Sequence, residues 1–110
     1  MRLELQQLLI DGPAGRIDTI LEAPAHPKGI ALVAHPHPLY GGANNNKVAQ
    51  TLARTLGGLG YAALRPNFRG VGGSEGEHDE GRGETEDLLV VLDHARQAFG
   101  DLPVGLAGFS

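Results

Sequence analysis

The chain has 110 residues, 41% of them apolar and 20% charged, with a net charge of −4 and no cysteine. This is the make-up of one folded domain with a real core. It gives no electrostatic footprint for nucleic acid or an anionic membrane, and it excludes disulfides and thiolate metal sites.

The first apolar run, Leu3 to Ile10, alternates as a strand does, then changes parity between Leu5 and Leu8. A β-bulge is one explanation. DGPAG at 11–15 is a turn, and Ile17, Thr19 and Leu21 resume the alternation, so the two runs read as an antiparallel hairpin. After Pro24, Pro27 and Gly29 comes GIALVAH, 29–35, apolar on both parities as in a strand buried on both faces. HPHPLYGGANNN forms a polar loop. Lys47 to Leu59 then repeats Val48, Leu52, Leu56 and Leu59 at helical spacing beside Ala49 and Ala53. Asn44 to Asn46 offer N-caps, and Gly57, Gly58 and Gly60 offer stops.

YAALRPN, 61–67, predicts a second buried strand, and FRGVGGSEG, 68–76, a loop. Glu84 to Phe99 predicts a second helix with Leu88, Leu89, Leu92, Ala95 and Phe99 as its apolar stripe. Glu84, Glu86 and Asp87 complement the positive end of its dipole. The acidic excess between Glu75 and Asp87 reads as a solvated rim. LPVGLAG, 102–108, predicts a third strand buried on both faces. Hairpin, strand, helix, strand, helix, strand means βαβ units. The expected fold is α/β: a mainly parallel sheet with an antiparallel N-terminal hairpin and helices on both faces. An apolar strand with nothing after it to cover it leaves a hazardous edge, so residues 1–110 are expected to be the N-terminal part of a single, longer domain.

No apolar run approaches the ~20 residues that span a bilayer, and MRLELQQLLIDG is too polar for a secretory signal. A cytoplasmic protein without membrane or nucleic-acid partners is expected.

Three segments carry chemistry. The chain ends on GLAGFS, where a buried strand runs into Gly-x-Ser. That is the first part of a nucleophile elbow, whose sharp turn needs Gly108 and lifts the Ser110 hydroxyl above the sheet. A serine after glycine also serves as a plain helix N-cap. The second segment is HPHPLYGG, 35–42, placed where acyl transfer needs backbone N–H groups aimed at a developing oxyanion. Pro36 and Pro38 have no N–H. The usable donors are His37, which is favoured, and Leu39 or Tyr40.

The same loop admits a metal reading, because His35 and His37 form an HxH pair. Two histidines are too few for a site. His26, or His78 with Asp79, would have to join them through folding. A loop histidine satisfied by backbone hydrogen bonds is the plainer alternative. The third segment, RPNFRGVGGSEG, lacks both a complete GxGxxG and a GK[ST], so it is no nucleotide loop; Arg69 is expected to brace it through backbone carbonyls. No cofactor is indicated. All five histidines precede Ser110, and the helical His94 is expected at the surface.

HPHPLYGGANNNK, RPNFRGVGGSEGEHDEGRGETEDL and LAGFS together resemble the small bacterial α/β-hydrolases related to dienelactone hydrolase, over about residues 29–110. The resemblance implies the N-terminal half of an α/β-hydrolase fold and a compact serine hydrolase with a minimal lid, acting on small carboxylic esters. It makes Ser110 the nucleophile and 35–39 the oxyanion loop. The general base and its acid are then expected beyond residue 110, since chain order runs Ser, acid, His, and the 110-residue piece alone is expected to be inactive. Wider α/β-hydrolases often read D-x-R-G-x-G-x-S after the fourth strand; here Asn67 replaces the Asp, while Arg69, Gly70, Gly72 and Ser74 remain. A non-catalytic binding protein on the same fold is the alternative.

Overall fold

The computed structural model describes residues 2–35 and 43–108. Five strands and two helices follow in the order β1 (Glu4–Gly12), β2 (Gly15–Ala23), β3 (Gly29–Ala34), α1 (Lys47–Gly58), β4 (Tyr61–Pro66), α2 (Arg82–Phe99) and β5 (Val104–Gly108). They build one mixed sheet in the spatial order β1-β2-β4-β3-β5. The hairpin strands run antiparallel, and β2 is antiparallel to β4. β3 lies parallel to both β4 and β5.

Opposite parities of the central strands feed two cores, which is why their sequences are apolar throughout. On one face Ile30, Leu32 and Leu64 pack with Ile10 and Ile17 beneath Val91 and Ala95 of α2. On the other, Val33 and Ala63 meet Ala49 and Ala53 of α1. Nonpolar area lost from water at roughly 25 cal/mol per Å² is the main stabilising term in both layers.

The hairpin contains no bulge. Its register runs unbroken from Glu4↔Ala23 to Gly12↔Gly15. The parity change in β1 reports a change in which face is covered. Leu8 and Ile10 join the α2 layer, whereas Leu3 faces the other side, where its Cδ1 would lie 3.0 Å from a Cβ at Gly57 of α1. Leu5 and Leu9 are exposed.

The buried stripe of α1 is Ala49, Ala53 and Gly57. Val48 and Leu59 of the predicted larger stripe are exposed, and Leu52 and Leu56 are half-buried. Small side chains let the helix backbone approach the sheet, and the bulkier ones are pushed to its flanks. Asn46 is the N-cap: its Oδ1 accepts the N–H groups of Val48 (2.9 Å) and Ala49 (3.3 Å). Replacing Asn46 with alanine should cost about 1 kcal/mol. Urea unfolding, with an unchanged m-value, measures it.

α2 begins two residues earlier than predicted. Its buried positions are Gly83, Glu84, Asp87, Val91 and Ala95, while Leu89 is exposed. β5 also departs from expectation: Leu106 is 71% exposed, because no helix among the described residues lies over that strand. Neither helix is long and apolar enough to cross a membrane.

Candidate active site

Parallel strands place their C-terminal ends on one edge of the sheet. Ala34 of β3 pairs with Gly108 of β5, and β4 runs alongside in the same direction. The residues that follow β3, β4 and β5 therefore leave from a common rim. A Cβ at Gly108 would sit 3.3 Å from the Cβ of Ala34, tight enough to favour glycine there. Ser110, His37, Leu39 and Tyr40, the expected nucleophile and oxyanion donors, lie outside the described residues.

Around them the described rim is densely bonded. His35, at the end of β3, is 3% exposed. Its Nε2 accepts the backbone N–H of Phe68 at 2.9 Å, and its ring meets the Phe68 ring at 4.3 Å between centroids. A ring nitrogen that accepts an N–H has no lone pair left for a metal. Of the readings open for His35, the structural histidine is the one its geometry matches. Among the described residues no group of three His, Asp or Glu side chains is placed to hold a metal ion.

Just past the end of β4, Asn67 is 4% exposed. Its Oδ1 accepts the Asn44 N–H at 2.6 Å, and its Nδ2 donates to Asp18 Oδ2 at 3.2 Å. Asp18, between Ile17 and Thr19 in β2, is a hub. Its carboxylate also accepts Gln7 Nε2 (2.8 Å) and the Gly73 N–H (3.2 Å). Its backbone N–H donates to Ser74 Oγ at 2.8 Å, and its carbonyl accepts the Asn67 N–H at 2.8 Å. Ser74 Oγ donates in turn to the Asn67 carbonyl at 2.8 Å. The loop glycines are needed here: a Cβ at Gly72 would meet Asn67 Nδ2 at 2.5 Å, and one at Gly73 would meet Asp18 Oδ2 at 2.8 Å.

Two further residues escape sequence reasoning because their partners lie far along the chain. Arg65, buried under the start of α1, donates from Nη1 to the Asn44 carbonyl at 2.7 Å. Burial pushes its guanidinium below the ordinary range, and the Glu22 carboxylate opposes that effect. Arg65 Nε and Asn44 Nδ2 are buried donors without a partner among the described residues.

Arg69 braces the loop after β4, as expected. It reaches the Gly83 carbonyl (2.9 Å) and also forms a two-pronged pair with Asp87, at 3.0 and 2.9 Å. The Asp87 hydrogen bond, outweighing burial, raises the Arg69 pKa further. Glu84 and Asp87 are thus buried bracing groups within what the sequence suggested was a solvated rim; Glu77, Asp79, Glu80 and Glu86 are exposed. His94 is exposed on α2.

Glu84 holds the start of α2. Its Oε1 accepts the Gly81 N–H at 3.0 Å and its Oε2 the Asp79 N–H at 2.9 Å, with His78 Nδ1 3.1 Å away. Burial alone would raise its pKa, but these backbone donors, its own N–H and His78 outweigh burial and hold it below the usual carboxylate value. A depressed folded pKa stabilises above the unfolded pKa, and that contribution is lost as pH falls through the folded value. Glu84→Gln should therefore be less stable than the parent chain by about 1.5 kcal/mol near pH 6. The gap should narrow as pH falls through the lowered folded pKa of the parent carboxyl, and close once that carboxyl is protonated too. Urea midpoints across that range test it.

No protein-family profile matches the chain. It is 47% identical over 94 residues to an uncharacterized protein of Rickettsia prowazekii, covering 84% of this chain and 40% of that one. Among solved structures, an α/β serine hydrolase homologue from Coxiella burnetii is 43% identical with a TM-score of 0.89, over 96% of this chain and 51% of that one. An α/β serine hydrolase without a lid from Xanthomonas campestris is 38% identical with a TM-score of 0.90, over 100% of this chain and 52% of that one. The chain spans about half the length of these structures. Its five strands and two helices are the N-terminal part of their α/β-hydrolase fold.

Proposed function

We propose, from a chain that carries the N-terminal part of the α/β-hydrolase fold, that the protein is a serine hydrolase acting on small carboxylic esters. The observation that supports this most is the strand register. β3 and β5 are parallel, and Ala34 pairs with Gly108, so the strands that lead into HPHPLY and GFS end side by side. Nucleophile and oxyanion donors must converge within about 3 Å of one reacting carbonyl, and a shared rim is the arrangement that permits it.

In this reading Ser110 Oγ attacks the ester carbonyl carbon while a histidine takes its proton. The oxyanion that forms is held by the backbone N–H of His37, with Leu39 and Tyr40 as alternative donors. The carbonyl re-forms as the C–O bond to the alcohol breaks, and the alcohol leaves with the proton. Water then attacks the acyl group, returns Ser110 to its hydroxyl form and releases the carboxylic acid. The histidine and its orienting acid come from the remainder of the protein. Described residues offer no substitute, since the imidazole nearest the rim, His35, already uses Nε2 for the Phe68 N–H.

The test is intact mass of the complete protein before and after a fluorophosphonate probe. One adduct, absent from Ser110→Ala, is the expected result. A folded protein that takes no adduct would instead be a binding protein on this fold.

A further inference from the structure

Both ends of one segment are tied to the same short stretch of chain. His35 precedes residues 36–43 and accepts the Phe68 N–H at 2.9 Å, with the two rings in contact. Asn44 follows them, and both of its backbone groups are taken by side chains of β4 or the residue just after it. Its N–H donates to Asn67 Oδ1 at 2.6 Å, and its carbonyl accepts Arg65 Nη1 at 2.7 Å. Residues 65, 67 and 68 thus hold the entry and the exit of 36–43, although more than twenty residues separate them from it.

The hold is itself held. Asn67 cannot rotate its amide without losing a bond, because Oδ1 must face the Asn44 N–H and Nδ2 must face Asp18. Asp18 is fixed by Gln7 and Gly73. All four anchoring side chains, His35, Asn67, Arg65 and Asp18, are more than nine-tenths buried, where a hydrogen bond meets little competition from water and an unmade one is costly.

We propose that Arg65, Asn67 and Phe68 form a platform that fixes both ends of the 36–43 segment, with His35 and Asn67 as positioning residues for the oxyanion donors. This rests on the hydrolase reading above, since it is that reading that puts the donors at His37, Leu39 and Tyr40. Oxyanion donors act only when they are already in place as charge develops, and a shift near 1 Å can cost on the order of a hundredfold in rate. An interaction made only in the transition state lowers kcat and leaves KM alone. A platform of this kind therefore leaves a signature that mere stabilisation does not.

The test uses the complete protein and a pair of substitutions that split the two contacts of His35. His35→Phe keeps an aromatic ring against Phe68 and removes the acceptor. His35→Gln gives up the ring and can still accept the Phe68 N–H. The expected result for His35→Phe is a kcat lower by about ten- to a hundredfold with KM within about twofold, together with amide exchange at least tenfold faster across 36–44 and unchanged in β2 and α2. His35→Gln should recover most of both. Unchanged exchange across 36–44 in His35→Phe, or a Gln variant no better than Phe, would overturn the platform.

Two wild-type measurements keep the test decisive if a variant fails to fold. The Phe68 and Asn44 amides, whose acceptors are side chains, should exchange at least a hundredfold more slowly than free amides; unprotected exchange at both sinks the proposal. Fluorophosphonate labelling of the wild type reports separately on the hydrolase reading. Protected amides without an adduct would leave a tethered segment and no serine enzyme.

Discussion

Ser110→Ala in the complete protein should lower ester turnover by a factor of about 10⁶, because loss of the nucleophile alone removes nearly all that a serine, histidine and acid achieve together. The remaining rate, roughly 10³ above that in water, would come from substrate binding and the oxyanion donors, which need no serine. KM should change little. If Ser110 serves only as the nucleophile, thermal unfolding should be unaltered within about 0.5 kcal/mol. Single-turnover kinetics on a chromogenic ester provide the measurement. A loss of less than tenfold would mean that some other group attacks the carbonyl, and the reading of GLAGFS as a nucleophile elbow would fall with it.

Asn67→Asp is the smallest change with a large structural effect. The shape is kept, and so is the acceptor for the Asn44 N–H. What changes is the group facing Asp18, where an amide nitrogen donates at 3.2 Å to Oδ2. A carboxylate there would oppose a carboxylate in a buried setting, since Asp18 is 8% exposed and Asn67 4%. Leaving a buried charge without compensation costs about 3 kcal/mol.

The sign of the pH dependence follows from the like charge, which raises the folded pKa of the new carboxyl above its unfolded value near ~4. Below that unfolded value the carboxyl is protonated in both states and can donate to Asp18, so the penalty is small. It grows as pH rises from there through the raised folded pKa and is complete at neutral pH. Urea unfolding at pH 4 and pH 7 should therefore give a small loss at the first and the full loss at the second. Equal losses at both would show that the amide's donation to Asp18 does not matter. The same geometry explains why this chain carries Asn where wider α/β-hydrolases often carry Asp: with Asp18 opposite, the position needs a donor.

The part of the site that was legible in the sequence was its layout. Three apolar runs ending in HPHP, RPNFRG and GFS were enough to expect parallel strands with loops on one rim. Arg69 could be assigned a bracing role because an arginine among glycines has carbonyls within reach. What it braces against was not legible: Asp87 lies 18 residues on, in a helix whose acids looked solvated. Asp18 was less visible still. In β2 it alternates with Ile17 and Thr19 as an outward residue should, yet it pairs with a side chain 49 positions away.

By itself the sequence determined the order and type of the elements, an asparagine cap within 44–46, the hairpin turn and the two-sided burial of β3 and β4. Each of these depends on neighbours within a few residues, where periodicity and backbone preference act directly. Only the tertiary structure decided which apolar residues are covered: Leu3 under α1 but Leu8 and Ile10 under α2, Ala49 and Ala53 rather than Val48 and Leu59, Val91 rather than Leu89, and an exposed Leu106. Periodicity records that a face is apolar; which element lies against it, and how closely, depends on the helix positions and strand order. The tertiary structure likewise decided the polar network, because a buried hydrogen bond is satisfied by whatever donor the fold brings within about 3 Å, and for Asp18, Asn44, Arg65 and His35 that donor or acceptor lies across the chain.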